Sequence, residues 1–516
     1  MTFAEKLDLL MKITNTSNSL LARNISMDAS FISRLRRGIR TPAKNVNYIK
    51  SMAEYFARNC RAEYQKTALQ EAILSTSEIQ LAGEETITEA LYRWLGEKDQ
   101  EEYQMIEGFF DDFSHFQFKK IGQIAADDVN IINSKPLPEV NVYYGVEGKQ
   151  TAVLTFLSLV LQSPKPQTLL LFSDEDLGWL IDNREFTAKW AALLLQVIKN
   201  GNTIKIIHNI NRNLDEMLAA IREWLPIYMT GAIQPYYYPK TRDGLFRRTL
   251  FIAPDTAAVT SSSTGNAFQN AANLLFTTKR PVQALIQEYN DILNMCRPLM
   301  RIITPFNNNT DYFKILAEFE EEEGNAIIKT SCLANISIPG DVTQSILSRI
   351  QGPAGDQLLS YQQNRINNFY HNLKKNSLTE IFTLPELEEI LAGRIMVNFS
   401  DIINETQLWY TPNEYCKHLK NIIYLLKTYD NYHVHLTSNE ALEGSMVYVK
   451  ENVGVLVGKT SLPSTIFAIN EGNMTAAFWD YMNVILRKET KGKVNRKHTS
   501  SKLEALVSRL ETRIQD

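Results

Sequence analysis

Lys149, Asp174, Asp176, His208 and Arg212 stand beside short apolar runs, and their types suit chemistry on a polar ligand. Cationic side chains hold anions, a histidine moves protons near neutrality, and neighbouring carboxylates hold a cation or a proton. The runs 140-VNVYYG-145, 168-TLLLFS-173 and 203-TIKIIHNI-210 read as strands, with helices between them to about 163 and 199. Strands alternating with helices imply an α/β fold with a mostly parallel sheet, whose ligands sit beyond the carboxyl ends of the strands. Glu147, Gly148 and Lys149 follow the first run, Asp174, Glu175 and Asp176 the second, and His208, Asn211 and Arg212 surround the third. The expected ligand-binding set is therefore Lys149, Asp174, Asp176, His208 and Arg212. The alternative is that these loops are polar for solvation, with Asp174 and Asp176 capping the next helix.

Other patterns carry less chemistry. The stretch 145-GVEGKQT-151 has Tyr143 and Gln150 where a phosphate-binding P-loop needs glycine and a hydroxyl residue, so it is no Walker motif, although its helix N-terminus would attract an anion. The run 261-SSST-264 lacks the strained elbow of a serine hydrolase. His433 and His435 alternate on one strand face, and with Cys416 and His418 they offer donors for a metal; the alternative is ordinary hydrogen bonding. No catalytic residue, metal ligand or cofactor is assigned. The four cysteines lie far apart, which fits a reducing compartment. No apolar run reaches the roughly 20 residues of a membrane span, so a cytoplasmic protein is expected.

A chain of 516 residues exceeds a single core. Charge divides it: residues 1–60 hold ten Lys/Arg against four acids, a balance of +6, while the remainder carries −10. Such asymmetry points to a polyanion partner for the basic segment. Phe3, Leu7, Leu10 and Met11 recur at helical spacing; a second helix covers 18–25, and Asp28 caps a third in which Ile32 and Leu35 face inward. Gly38 ends that helix, Pro42 blocks its resumption, and a fourth helix follows over 45–57. With Ile32 and Leu35 buried, Ala29, Ser30, Ser33, Arg34 and Arg37 turn outward, where small and basic side chains fit a major groove.

Leu21, Ala22, Ile32, Ser33, Gly38 and Pro42 stand at the offsets of the Cro and CI-like (XRE) helix-turn-helix family, which this segment resembles. The resemblance implies a DNA-binding, homodimeric transcription regulator, with Ala29, Ser30, Ser33 and Arg34 at base edges and Ser17, Asn18, Arg37, Arg40 and Lys44 at phosphates. Ser26 replaces the turn glycine common in that family, at a cost of about 1 kcal/mol if the position is left-handed.

Farther on, 246–264 and 445–461 each read as strand, tight turn, strand, and each leads to a Phe-bearing polar stretch and a helix. This order resembles the phospholipase D-like superfamily and implies two related halves. Neither half has the His-x-Lys of that family; the first offers Asp255, the second Lys450 and Glu451. The resemblance then implies a non-catalytic, ligand-sensing region, and the chain is expected not to be an enzyme. The expected layout is a DNA-binding domain over 1–60, a helical connector over 61–135, α/β halves over 136–310 and 311–485, and a basic linker with a final helix over 486–516. In that helix Leu503, Val507, Leu510 and Ile514 form a stripe that either joins a dimer contact or packs back on the body. The alternatives to a regulator with a small-molecule effector are an enzyme acting on a phosphorylated or nucleotide substrate and a protein-interaction scaffold.

Overall fold

The computed structural model describes residues 3–37, 47–60, 62–76, 87–96, 100–116, 138–175, 178–208, 214–239, 245–264, 268–305, 309–350, 354–403, 407–437, 444–490 and 496–515. Gly38, Arg40, Pro42, Lys44, Asp176 and Arg212 lie outside the described residues. The chain divides into two compact units, Met1–Met105 and Ile106–Asp516.

The first unit contains α1 (Phe3–Ile13), α2 (Asn18–Asn24), α3 (Ala29–Arg36), α4 (Asn47–Asn59), α5 (Glu63–Thr76) and α6 (Ile87–Gly96). Its helices start where oxygen acceptors are supplied: Ser17 Oγ accepts from Leu20 N at 3.2 Å, and Asp28 Oδ1 from Ser30 N at 2.7 Å and Phe31 N at 3.3 Å. Leu7, Leu10, Met11, Leu21, Ala22, Phe31, Ile32 and Leu35 are buried together with Met52, Ala53 and Phe56 of α4. Each fully buried leucine or isoleucine stabilises by about 1.5–3 kcal/mol. Phe31 also meets Tyr48 edge-on, with ring centroids 5.5 Å apart. The same core continues past residue 60 through Leu69, Ile73, Ala90, Leu91, Trp94 and Leu95, so α5 and α6 pack into this unit. Lys6 is buried among them, donating to Trp94 O at 2.9 Å with its ammonium 5.5 Å from the Trp94 ring.

The second unit begins within α7 (Gln100–Ser114), which carries Phe109, Phe110 and Phe113 into its interior. Two sheets follow. The first contains β1 (Val140–Tyr144), β2 (Thr168–Ser173), β3 (Thr203–His208), β4 (Ile233–Tyr237), β5 (Phe246–Ala253), β6 (Ala257–Thr264), β7 (Ala272–Phe276) and β8 (Arg297–Pro298). Its helices are α8 (Gly145–Leu161), α9 (Gly178–Ile181), α10 (Arg184–Lys199), α11 (Leu214–Tyr228) and α12 (Lys279–Leu293). The second sheet contains β9 (Arg301–Ile303), β10 (Ala326–Lys329), β11 (Leu378–Phe382), β12 (Tyr432–Leu436), β13 (Ser445–Lys450), β14 (Gly454–Lys459) and β15 (Thr465–Ile469). Around it lie α13 (Asn309–Glu321), α14 (Gly340–Leu347), α15 (Ala354–Leu373), α16 (Leu387–Leu391), α17 (Ser400–Ile403), α18 (Pro412–Thr428), α19 (Gly472–Thr490) and α20 (Arg496–Gln515).

Strand order shows a duplication. The first sheet runs β1-β7-β6-β5-β2-β3-β4-β8 and the second β12-β11-β10-β13-β14-β15-β9; read from its other edge, the second reproduces the first seven strands of the first, position by position. The sheets are mixed, which corrects the expectation of a mostly parallel one. Among the described residues only β2-β3-β4 and β10-β11-β12 pair in parallel; the hairpins β5-β6 and β13-β14 insert antiparallel strands beside them. A short turn can join strands only in the antiparallel sense. The Leu503, Val507 and Leu510 stripe of α20 is buried within the chain, while Ile514 is exposed. Lys427–Glu504 and Lys420–Glu511 pair α18 with α20 at 2.7 and 2.6 Å, so the stripe packs back on the body rather than forming a dimer contact.

Candidate functional site

The outward face of α3 follows from the burial of its other side. Phe31, Ile32 and Leu35 are buried; Ser30, Arg34 and Arg37 are exposed, and Ala29 and Ser33 are half-buried between them. Arg34 lies along the helix, its Nε donating to Ser30 O at 3.2 Å and its Nη2 to Ser30 Oγ at 3.1 Å. Arg37 Nε donates to Ser33 O at 3.2 Å. These are weak local restraints on exposed guanidinium groups. Arg36 is committed elsewhere, 2.6 Å from Asp8 of α1. Ser17 is exposed beside Asn18, whose buried Oδ1 has no partner among the described residues. The Asp28 carboxyl is held below its ordinary range by its hydrogen bonds to Ser30, which keeps it charged and capping. Ser26, in the turn between α2 and α3, has a φ of 56°, a left-handed conformation that costs a non-glycine residue about 1 kcal/mol.

Of the expected ligand-binding residues, Lys149, Asp174 and His208 are buried. Lys149 on α8 forms an ion pair with Glu175, both side chains 4% exposed, and donates to Thr249 Oγ1 at 2.8 Å. Ser261 Oγ donates to the other oxygen of Glu175 at 3.2 Å, Ser173 and Thr249 share a hydrogen bond of 3.0 Å, and the ammonium lies 5.1 Å from the Trp179 ring. Burial pulls the Lys149 pKa below its ordinary value, against the opposing charges of Glu175 and Asp174. Asp174 accepts from Arg248 N, and its carbonyl accepts from Arg247 Nη1 at 2.7 Å. His208 is held apart from them, 2.5 Å from Tyr228 OH and edge-on to Trp224; burial lowers its pKa to about 4. Tyr228 in turn meets Phe467 of β15 edge-on, linking the two halves. Lys149, Asp174 and His208 therefore make polar contacts inside the chain.

The hairpins differ from the His-x-Lys pattern in kind. Arg248 makes a two-pronged pair with Glu288, both bonds 2.7 Å, and reaches Ser262 Oγ at 2.8 Å. Asp255 is exposed at the turn. Lys450 donates to the carbonyls of Phe319, Glu320 and Glu322 at 2.9, 3.2 and 2.7 Å, satisfying the C-terminal end of α13. His418 contacts Ser337 Oγ at 3.1 Å and Tyr410 OH at 3.2 Å. Among the described residues no group of His, Cys, Asp and Glu is arranged to hold a metal ion, and no helix is long and apolar enough to cross a membrane.

The sequence reading missed Glu380, which accepts from Ser337 at 3.2 Å and Tyr432 at 2.9 Å. Burial raises its pKa to about 7. A raised carboxyl pKa contributes stability that is fully present below the unfolded value and lost as pH rises through about 7. Glu380→Gln keeps both contacts without the ionisation. Its unfolding free energy is expected to gain on the parent by about 3 kcal/mol between acid and mildly alkaline pH. Thermal melts at a series of pH values check this; parallel curves for the two proteins would contradict it.

No protein-family model matches the chain, and no curated protein matches it. Solved structures do. Nuc from Salmonella typhimurium, a phospholipase D family member, is 15% identical over 31% of this chain and 98% of its own, with a TM-score of 0.22. TrmBL2, an archaeal chromatin protein described with a novel mode of DNA binding, is 10% identical over 46% of this chain and 83% of its own, with a TM-score of 0.24. Polyphosphate kinase from Porphyromonas gingivalis is 12% identical over 86% of this chain and 65% of its own, with a TM-score of 0.23. Two of these three bear the names of enzymes or an enzyme family, so the expectation that this chain is not an enzyme is withdrawn. No activity passes to it from likenesses at this level.

Proposed function

We propose that the chain binds double-stranded DNA through α3 and acts as a one-component transcription regulator of the Cro/CI-like kind, with the duplicated α/β region taking up a small-molecule effector. One observation carries this reading: Ser30, Arg34 and Arg37 stand exposed on the face of α3 opposite buried Phe31, Ile32 and Leu35. Ala29, Ser30, Ser33 and Arg34 are assigned to base edges, and Ser17, Asn18, Arg37, Arg40 and Lys44 to phosphates. A single head of this size contacts few bases, so two copies on a two-fold operator are part of the proposal. Selection of random duplexes by the full chain tests it. The expected outcome is an enriched inverted repeat whose binding weakens steeply with salt. Enrichment no better than that of a chain lacking residues 1–60 would remove the reading.

A further inference from the structure

Each sheet has two edges, and the duplication allows them to be compared. β1 forms one edge of the first sheet, and β9 stands at the same position in the second. Ile302 and Ile303 of β9 are buried, and the strand packs against β4 where the two halves meet. At the far edge of the second sheet, β12 packs against α20 and none of its residues is exposed. β8, at the far edge of the first, is 2 residues long and ends in Pro298, too short to template another strand. β1 has no such protection among the described residues: Val140, Val142 and Tyr144 are 43, 47 and 71% exposed.

The backbone of β1 divides its groups between two sides. Glu139 O accepts from Thr277 N at 3.1 Å, and Gly145 N donates to Ala271 O at 3.0 Å. By the antiparallel alternation the groups of Asn141 and Tyr143 also face β7, while those of Val140 and Val142 and the Tyr144 amide point away from it. The Tyr144 carbonyl stands at the N-cap of α8 and serves the first turn of that helix. The same three residues place their side chains on one face, next to half-buried Leu274 and Phe276 of β7. Edge strands are ordinarily blunted by a charge, a proline or a bulge, and 140-VNVYY-144 runs in regular register with none of them.

We infer that β1 is a dimer interface, pairing antiparallel with β1 of a second copy about a two-fold axis through Val142. In that register the two Val142 residues exchange amide and carbonyl, and each Tyr144 amide donates to the Val140 carbonyl of the other copy. Side chains match too: Val142 meets Val142, and each Tyr144 ring covers the Val140 opposite, with no charge brought between the strands. An axis through Asn141 sets Tyr144 against Pro138, and one through Tyr143 sets Val140 against Val146 of α8, so each shortens the ladder. The place that the first half fills for β9 is thus filled for β1 by another copy. Head-to-tail growth from β1 onto β12 is closed by α20, which leaves the two-fold pair. The inference rests on the proposed reading for its need of two copies, and its test reads assembly without DNA, so each can fail alone.

Sedimentation velocity of the full chain over a concentration series is the test. One strand a side covers less than the roughly 800 Å² of a standard interface, so a reversible dimer with a Kd of about 1–100 μM is expected. Val142→Lys places a charge on this exposed edge and is expected to weaken the dimer about tenfold or more, with circular dichroism that of the parent. Val142→Cys is expected to give a disulfide between the two copies at that position under mild oxidation, mapped by mass spectrometry. Val140→Cys is expected not to, because its two copies lie about 13 Å apart along the strands in this register. A parent chain that stays monomeric to about 100 μM, a dimer untouched by Val142→Lys, or equal cross-linking of the two cysteine variants overturns the inference. A β1-paired dimer that selects no duplex bears the interface out and removes the regulator reading alone.

Discussion

Arg34→Ala is expected to weaken operator binding by about 1–3 kcal/mol and to relax base preference at a single position. The guanidinium is exposed and tethered only to Ser30, so its release from the helix costs little and its forked donors are free for a guanine edge. Arg37→Ala has a different signature. Its side chain leaves the helix at the last turn, against Ser33 O, and its assigned partner is a phosphate. All duplexes are expected to bind more weakly by a similar factor, and the salt slope to fall by about one. Arg36→Ala serves as the control. Its guanidinium is occupied by Asp8, and loss of that partly exposed pair touches stability by well under about 1 kcal/mol. Fluorescence anisotropy with operator and scrambled duplexes over a salt series separates the three. If Arg34→Ala and Arg37→Ala lose specific and non-specific binding in the same proportion, α3 is not seated with its N-terminal residues at the bases.

The helical unit was legible because its signals are local. Ser17 and Asp28 cap the helices they precede, and Leu7, Leu21, Ile32 and Leu35 recur at helical spacing toward one core. The extension of that core to Trp94 had a signal too, in the spacing of Leu91, Trp94 and Leu95, whereas charge changes sign near residue 60 and does not follow the core. Strand direction was not legible. A buried strand such as 168–173 reads as an apolar run whether its neighbour runs parallel, as β3 does, or antiparallel, as β5 does. The duplication could be read from its hairpins, since turn chemistry is local, whereas the fate of Lys149 could not. Its partners Glu175, Thr249 and Ser261 come from three separate segments, and only the folded sheet brings them together.

Two buried ion pairs, one in each half, should respond differently to the loss of their acid. Glu320→Ala leaves Arg365 in an apolar wall with no counter-charge, and about 3–5 kcal/mol of stability is expected to be lost. Burial opposes the Arg365 charge, yet Glu320 holds its pKa above the ordinary value; a guanidinium cannot escape by shedding its proton, so the loss should be flat with pH. Glu175→Ala strands a lysine instead. Burial already pulls the Lys149 pKa down, and without Glu175 that pull is unopposed by its nearest charge. As pH rises above the folded pKa of Lys149, the folded chain releases the proton that the unfolded chain keeps up to about pH 10, and stability recovers. Chemical denaturation of both variants at mildly acid and alkaline pH reads the contrast: a deficit that narrows for Glu175→Ala and stays constant for Glu320→Ala. Adding Arg365→Met to Glu320→Leu should return most of the lost stability, because an apolar pair fills the space without desolvating a charge. A Glu320→Ala deficit below about 1 kcal/mol is the size of a solvated surface pair, and it would mean that water reaches Arg365.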